Sequence, residues 1–163
     1  MPEKPIRFFG DPVLKTVTEP VTVFDDRLRA LVRDLLDTTD MEGRAGVAAT
    51  QIGSTKRVFA YHVDGKLGYV INPVLAETSG EYREIDEGCL SVPGLWFPTP
   101  RWSRAVVTGV DRDNEPIVLE GDGLMAQMLQ HETDHLDGYV YLDRLSKENR
   151  RAALKQVRAS TWF

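Results

Sequence analysis

The chain has 163 residues, 42% of them hydrophobic and 28% charged, which predicts one domain, residues 1–163, with a buried hydrophobic core. Its 20 basic and 25 acidic residues give a net charge of -5, so we expect no sequence-specific nucleic-acid partner. One cysteine cannot form an internal disulfide, and no long apolar run marks a secretory signal or a membrane span. We therefore expect a cytoplasmic protein without a membrane partner.

The first predicted element is a helix that begins near Asp25 and Asp26. Acidic residues at its start suit the helix dipole. Apolar residues then recur at three- and four-residue spacing, which places them on one helix face. These residues are Leu28, Leu31, Val32, Leu35 and Leu36.

A series of β-rich segments follows the first helix. Asp64 and Gly65 predict a hairpin turn between the first two strands, and residues 111–114 predict a turn between the last two. The predicted strands are residues 57–63, 68–71, 74–77, 81–85, 105–110 and 117–119.

A second helix is predicted at residues 124–136, because Gly123 breaks the β pattern before it and Gly138 can end it. A short strand is expected at 139–142, and a last helix begins after the cap residue Ser146. This order favours an α+β fold, with mostly antiparallel sheets packed around a central metal-binding helix and with N-terminal and C-terminal helices.

The central helix carries a motif with metal-binding spacing, Gln-His-Glu-Thr-Asp-His-Leu-Asp-Gly at residues 130–138. His131 and His135 are four residues apart, so on a helix they lie on the same face one turn apart. Two such imidazoles can bind one metal ion, and Glu132 can act on a water bound to it. A chance match on a helix surface is the alternative for this motif alone.

Cys89 is the outstanding candidate for a third metal ligand. A catalytic site of this kind needs three protein ligands and one open position. Cys89 is the only cysteine, in the segment Glu-Gly-Cys-Leu-Ser, and a bound metal would keep its sulfur as thiolate. Taken alone, however, a free cysteine is more often a buried, inert thiol. The remaining histidine, His62, is expected to be structural.

Three segments together resemble the three motifs of peptide deformylases, in the same order and at similar separation. Residues 44–51, Arg-Ala-Gly-Val-Ala-Ala-Thr-Gln, are similar to the family's Gly-φ-Gly-φ-Ala-Ala-x-Gln, where φ is apolar. Residues 87–91 and 130–138 match the second and third motifs in full, and residues 10–14 resemble the family's N-terminal segment. The resemblance spans nearly the whole chain.

This resemblance implies a hydrolase that removes the formyl group from the N-terminal formylmethionine of nascent polypeptides and releases formate. It implies that Cys89, His131 and His135 bind one divalent metal ion, natively Fe(II), with Zn(II), Ni(II) or Co(II) able to occupy the site. The imidazole and thiolate ligands suit all four metals. Hydroxide on the metal would attack the formyl carbon, with Glu132 as general base and then general acid.

The resemblance also assigns residues around the metal. The Gln51 side-chain amide and the Leu90 backbone N–H would stabilise the charge that develops on the formyl oxygen. Glu87 and Arg101 would form an ion pair that braces the Cys89 segment. The backbone of Gly46 would bind the substrate main chain. The apolar residues that would accept the methionine side chain, although they equally suit an ordinary core, are Ile85, Leu124 and Met128.

Two departures from the family pattern concern the substrate. Arg44 replaces the first glycine of the first motif, and Ala45 replaces a larger apolar residue. Residues 46–51 are intact, so we expect an altered pocket shape and not altered catalysis. Trp96 stands where many family members carry a basic residue, which leaves the preference for residues after methionine open.

Two other functions and one partner are compatible with parts of this sequence. A small metallopeptidase would use the same His-Glu-x-x-His motif, but usually with a third His or Glu ligand. A binding module without chemistry would be expected to lack Glu132 or Gln51, and both are present. The last helix resembles the ribosome-contacting C-terminal helix of some bacterial deformylases, although a solvated helix face is the alternative. Its basic residues are Lys147, Arg150, Arg151, Lys155 and Arg158.

Overall fold

The computed structural model describes residues 3–163, which contain three α-helices and five β-strands. The helices are α1 (Asp26–Thr39), α2 (Gly123–Leu136) and α3 (Lys147–Ala159). The strands are β1 (Gly46–Ala48), β2 (Val58–Val63), β3 (Lys66–Cys89), β4 (Val92–Val110) and β5 (Pro116–Asp122). Short 3-10 helices lie at Pro12–Lys15, Ala49–Ile52 and Tyr141–Arg144.

The five strands form one antiparallel sheet in the order β1-β2-β3-β4-β5, which confirms the predicted α+β class. The predicted turn at Asp64 and Gly65 joins β2 to β3, and both residues have positive φ, as such hairpin turns require. The strands predicted at 68–71, 74–77 and 81–85 are parts of the single strand β3. The interruptions between them are register shifts, which bend a strand without ending it.

The sheet separates α1 from α2, because successive residues of a strand point to opposite faces. On β2, Val58 and Ala60 pack with α1 residues such as Leu35, whereas Phe59 packs with α2 residues such as Leu129. All five side chains are fully buried. The helix that carries the two histidines is therefore fixed against one face of the sheet along its length.

Residues 139–142 were predicted as a short strand, and this prediction was wrong. The chain forms a 3-10 helix at Tyr141–Arg144, and the N–H of the preceding residue, Val140, donates to Asp143 Oδ2 at 3.0 Å. The apolar residues that suggested a strand are buried here against a different partner, since Tyr141 and Leu142 pack with Val92 of β4.

The last helix begins where it was predicted. The Ser146 side chain accepts a hydrogen bond from the Asn149 N–H at 3.2 Å and so caps α3. Ala153 and Val157 are the buried residues of this helix. Among residues 3–163, no helix combines the length and apolar character that crossing a membrane requires.

Candidate metal centre and active-site cleft

Cys89 is the last residue of β3, and the two-residue turn Leu90-Ser91 leads directly into β4. The Ser91 N–H points at Cys89 Sγ from 3.4 Å, and Gln51 Nε2 lies 3.7 Å from the same sulfur. The sulfur therefore lies at the end of β3 with two hydrogen-bond donors directed at it.

The side chains of Cys89, His131 and His135 converge on one point. Cys89 Sγ lies 3.3 Å from His135 Nε2, and the Nε2 atoms of the two histidines are 3.1 Å apart. Tetrahedral coordination with normal metal–nitrogen and metal–sulfur bonds puts ligand atoms about 3.4 to 3.6 Å apart. All three atoms lie within 4.8 Å of one another, so the set fits a divalent metal ion.

Glu87 fixes the orientation of the His131 ring. His131 Nδ1 lies 2.7 Å from Glu87 Oε2. An ionised carboxylate only accepts hydrogen bonds, so Nδ1 carries the proton and the Nε2 lone pair faces the metal position. Arg101 donates to both Glu87 oxygens, at 3.0 and 2.7 Å, and both side chains are buried. Burial alone would raise the pKa of Glu87, but His131 and Arg101 outweigh it and lower the pKa to about 2.

Glu132 is buried next to the metal position. Its Oε2 atom has no hydrogen-bond partner among residues 3–163, which is unusual for a buried carboxylate. Burial raises its pKa to about 7. Gly46 of β1 packs directly against it, because a Cβ at Gly46 would lie 2.9 Å from Glu132 Cγ and 3.1 Å from Met128 Cγ. Only glycine leaves the Glu132 side chain in this position.

Gln51 is held in one orientation by its neighbours. The Ala48 N–H donates to Gln51 Oε1 at 2.9 Å, and Gln51 Nε2 donates to Ser91 Oγ at 3.1 Å. The side chain is 1% exposed. Its NH₂ group therefore faces the turn that carries Cys89 and Leu90.

A cleft of about 620 Å³ leads to these residues. Leu124 and Met128 of α2 line the cleft. Gly46 of β1 and Leu90 of the turn between β3 and β4 line it as well. Ile85 is half-buried on β3 and is not among the described residues that line the cleft.

Trp96 and His62, which were both discussed from the sequence, also line the cleft. Trp96 is 71% exposed and packs over Gly88, where a Cβ would lie 2.8 Å from a ring carbon. His62, which was expected to be structural, also lines the cleft, with its Nδ1 atom 3.9 Å from Asp40 Oδ1.

The family described as polypeptide deformylase matches residues 3–151. The chain belongs to this family. A peptide deformylase from Acidothermus cellulolyticus is 50% identical over 162 residues, which cover 99% of this chain and 89% of the relative. The crystal structure of peptide deformylase from Thermus thermophilus is 40% identical, with a TM-score of 0.87 over 96% of this chain and 93% of that one.

A deformylase structure from Synechococcus elongatus, in complex with actinonin, is similar over an even larger share of this chain. It is 31% identical, with a TM-score of 0.88 over 99% of this chain and 90% of that one. The family resemblance carried by the three sequence motifs is thereby confirmed.

Several residues that shape this deformylase site have no role indicated by the sequence alone. Ser91 contacts both Gln51 and Cys89, and Asp134 accepts hydrogen bonds from two arginines. Both residues lie inside the family motifs, which could have drawn attention to them. Gln130 pairs with both backbone groups of Trp102 at 2.9 Å and fixes α2 to β4. Arg144, one of the two arginines at Asp134, lies in no motif.

Proposed function

We propose that this chain is a metal-dependent hydrolase of linear amides that removes the N-terminal formyl group from the formylmethionine of nascent polypeptides. The reaction releases formate and belongs to N-terminal protein modification during translation. The observation that carries the proposal is the convergence of Cys89, His131 and His135 beside the buried Glu132, in a chain of the deformylase family.

Cys89, His131 and His135 are proposed to hold one divalent metal ion. When bound, the ion supplies Lewis-acid chemistry, which lowers the pKa of a coordinated water and polarises the formyl oxygen. One thiolate and two imidazoles accept iron, zinc, nickel and cobalt alike. We propose Fe(II) as the native ion, because this ligand set resembles that of the iron-dependent members of the family.

Glu132 is proposed to move the proton. Its buried carboxylate takes the proton of the attacking water and then gives it to the amine nitrogen that leaves as the C–N bond breaks. Gln51 Nε2 and the Leu90 N–H donate to the formyl oxygen, where negative charge develops. The Ala48 N–H already holds the Gln51 amide in place, and one Nε2 proton goes to Ser91 Oγ. The second Nε2 proton is therefore the one that would reach the formyl oxygen.

The substrate main chain is proposed to bind along β1. This strand pairs with β2 on one side and is at the edge of the sheet among the described residues. Its residue Gly46 lines the cleft, so its backbone can pair with an extended peptide. Leu124 and Met128 are proposed to contact the methionine side chain, whereas Ile85 lies outside the lining and has no part in this proposal.

The deciding experiment compares formyl-Met-Ala with Met-Ala-Ser as substrates of the anaerobically purified protein. We expect formate from the first peptide and no product from the second. Cleavage of a peptide bond in Met-Ala-Ser would indicate the metallopeptidase alternative. Metal uptake without any product from either peptide would indicate a binding module.

We further propose that α3 contacts the ribosome. Its exposed basic residues are spaced by three or four positions, which places them on one face, opposite the buried Ala153 and Val157. Arg150 is separate from this face because it pairs with Asp143 at 2.7 Å. The exposed basic residues are Lys147, Arg151, Lys155 and Arg158.

Co-sedimentation with ribosomes tests this contact. The double variant Arg151→Glu/Lys155→Glu should lose co-sedimentation, and added salt should weaken the contact of the unaltered protein. The matched control is Arg27→Glu/Arg33→Glu, which reverses two exposed charges on α1. Equal loss in both variants, or no loss in either, would contradict a contact through α3.

A formylated nascent polypeptide is available where translation occurs, so we propose that the protein acts in the cytoplasm. The thiol of Cys89 also needs a reducing environment to remain a ligand. We accordingly propose residues 1–163 as one catalytic domain. Fractionation of cells followed by a formate assay would test the location, and activity in a membrane or extracellular fraction would contradict it.

A further inference from the structure

Four charged side chains form a continuous network that begins at a metal ligand and ends near the surface. We call Glu87, Arg101, Asp134 and Arg144 the four-charge network. Glu87 contacts His131, and Arg101 contacts Glu87 through Nε and Nη2. The remaining Arg101 nitrogen, Nη1, donates to Asp134 Oδ2 at 2.7 Å.

Arg144 is the outer member of this network. Its Nε donates to Asp134 Oδ2 at 3.1 Å, and its Nη2 donates to Asp134 Oδ1 at 2.8 Å. The guanidinium also lies 4.9 Å from the Tyr139 ring centroid. Arg144 is the last residue of the 3-10 helix Tyr141–Arg144, and its side chain is 44% exposed, so it is the member of the network nearest to solvent.

The network is balanced in charge, with two carboxylates and two guanidiniums. The side chains of Glu87, Arg101 and Asp134 are 3%, 4% and 12% exposed, so water can compensate little for a missing partner. Breaking a buried ion pair by removing one member is costly, because the other charge is left uncompensated. Without Arg144, two buried carboxylates would compete for the single guanidinium of Arg101.

We propose that Arg144 is a positioning residue for the metal ligand His131. It neutralises Asp134, so that Arg101 keeps both of its donors on Glu87 and Glu87 keeps the His131 ring oriented. Loss of Arg144 draws Arg101 towards Asp134, weakens the hold on Glu87 and lets the His131 imidazole tilt away from the metal position. This inference depends on the proposed assignment of His131 as a metal ligand.

Zinc release tests the inference independently of activity. Zinc-loaded Arg144→Ala should lose zinc to a coloured chelator about 10-fold faster than the unaltered protein. This is the lower end of the roughly 10- to 100-fold loss of metal affinity that follows mutation of groups around a metal ligand, because Arg144 acts on His131 only through Asp134, Arg101 and Glu87. Formate assays should show a lower kcat with KM nearly unchanged, because substrate contacts are intact. Arg144→Lys retains the charge with fewer donors, so its release rate should lie between the two.

Arg150→Ala is the matched control. Arg150 is also an arginine near the start of α3 in an ion pair at 2.7 Å, and its side chain is 39% exposed against 44% for Arg144. Its partner Asp143 is not connected to Glu87 by any described contact. Zinc release from Arg150→Ala should equal that of the unaltered protein. Wild-type release from Arg144→Ala, or equally fast release from both variants, would overturn the inference.

A double variant with Asp134→Asn separates two possible roles of Arg144, which are neutralising Asp134 and anchoring the 3-10 helix. Asp134→Asn removes the carboxylate that Arg144 neutralises, so Arg144→Ala should add little to the zinc release rate in this background. A full additional effect would mean that Arg144 acts by another route, which would overturn the inference. If the unaltered protein itself binds no stoichiometric zinc, the ligand assignment has failed instead.

Discussion

Gly46 and Glu132 pack so closely that any side chain at position 46 would displace Glu132. A methyl group at Gly46 would meet Cγ and Cδ of Glu132 at 2.9 and 3.0 Å. We therefore predict that Gly46→Ala lowers kcat about 100-fold, the order of effect that a misplacement of 1 Å can cause. Formate assays and elemental analysis check this together. A variant with normal kcat, or one that has lost its metal, would contradict displacement of Glu132 as the cause.

The Gln51 side chain has two proposed roles. Its Oε1 accepts from the Ala48 N–H, which braces the loop, and its Nε2 donates to the formyl oxygen. Gln51→Ala should lower kcat by about 100- to 1000-fold, the usual cost of losing one donor to a developing negative charge. Gln51→Glu is the informative comparison, because its carboxylate can still accept from the Ala48 N–H but cannot donate. It should be at least as impaired as Gln51→Ala. Wild-type kcat in Gln51→Glu would show that bracing alone matters.

At the residue scale, the sequence was sufficient for residues defined by spacing or by a motif. His131 and His135 were predicted as a pair from their four-residue spacing on a helix. Cys89 was predicted to join them because it is the only cysteine of the chain and follows Gly88. The sequence could not show that Ser91 contacts both Gln51 and Cys89, or that Asp134 meets Arg144. Those contacts depend on how a turn and a 3-10 helix pack, which residue types alone do not determine.

Helix α2 presents a buried face to the sheet and, at its first turn, a more exposed face to the cleft. Leu129 is fully buried, so Leu129→Ala should lower the free energy of unfolding by about 2 to 5 kcal/mol. Leu124 is 52% exposed on the same helix, and Leu124→Ala should change stability by no more than about 0.5 kcal/mol while raising KM. Urea unfolding and formate assays measure the two effects. A stability loss in Leu124→Ala similar to that in Leu129→Ala would contradict this division of the helix.

At the scale of elements, helices were easier to predict than strands. The periodicity of Leu28, Val32 and Leu35 and the cap at Ser146 placed α1 and α3 closely. The bends of β3 could not be predicted, because polar and glycine positions such as Asn72 and Gly80 look like loop signals in a sequence. Both have positive φ in a strand that continues through them. Register shifts of this kind are decided by the partner strand.

At the scale of the whole molecule, the core is built from apolar side chains of the helices and the sheet. The three buried apolar clusters of the described residues include neither His131 nor His135. We predict that chelation abolishes formate release while far-UV circular dichroism stays unchanged, and that added metal restores activity. The melting temperature should fall on chelation, because a ligand that binds only the folded state stabilises it. Irreversible unfolding on chelation would contradict this prediction.

Oxygen sensitivity tests the proposed native ion. Iron in this site, beside the Cys89 thiolate, should make the protein lose activity in air through oxidation of the metal or the sulfur. A zinc-loaded preparation serves as the control and should keep its activity. Equal activity of aerobic and anaerobic preparations would argue for another metal.

X-ray absorption at the metal edge of the anaerobically purified protein is the most direct measurement of the ligand set. We expect one sulfur neighbour at about 2.3 Å and two imidazole nitrogens at about 2.1 Å. In Cys89→Ala the sulfur contribution should disappear. A metal surrounded only by nitrogen and oxygen in the unaltered protein would contradict the Cys89, His131 and His135 site on which the proposed reaction depends.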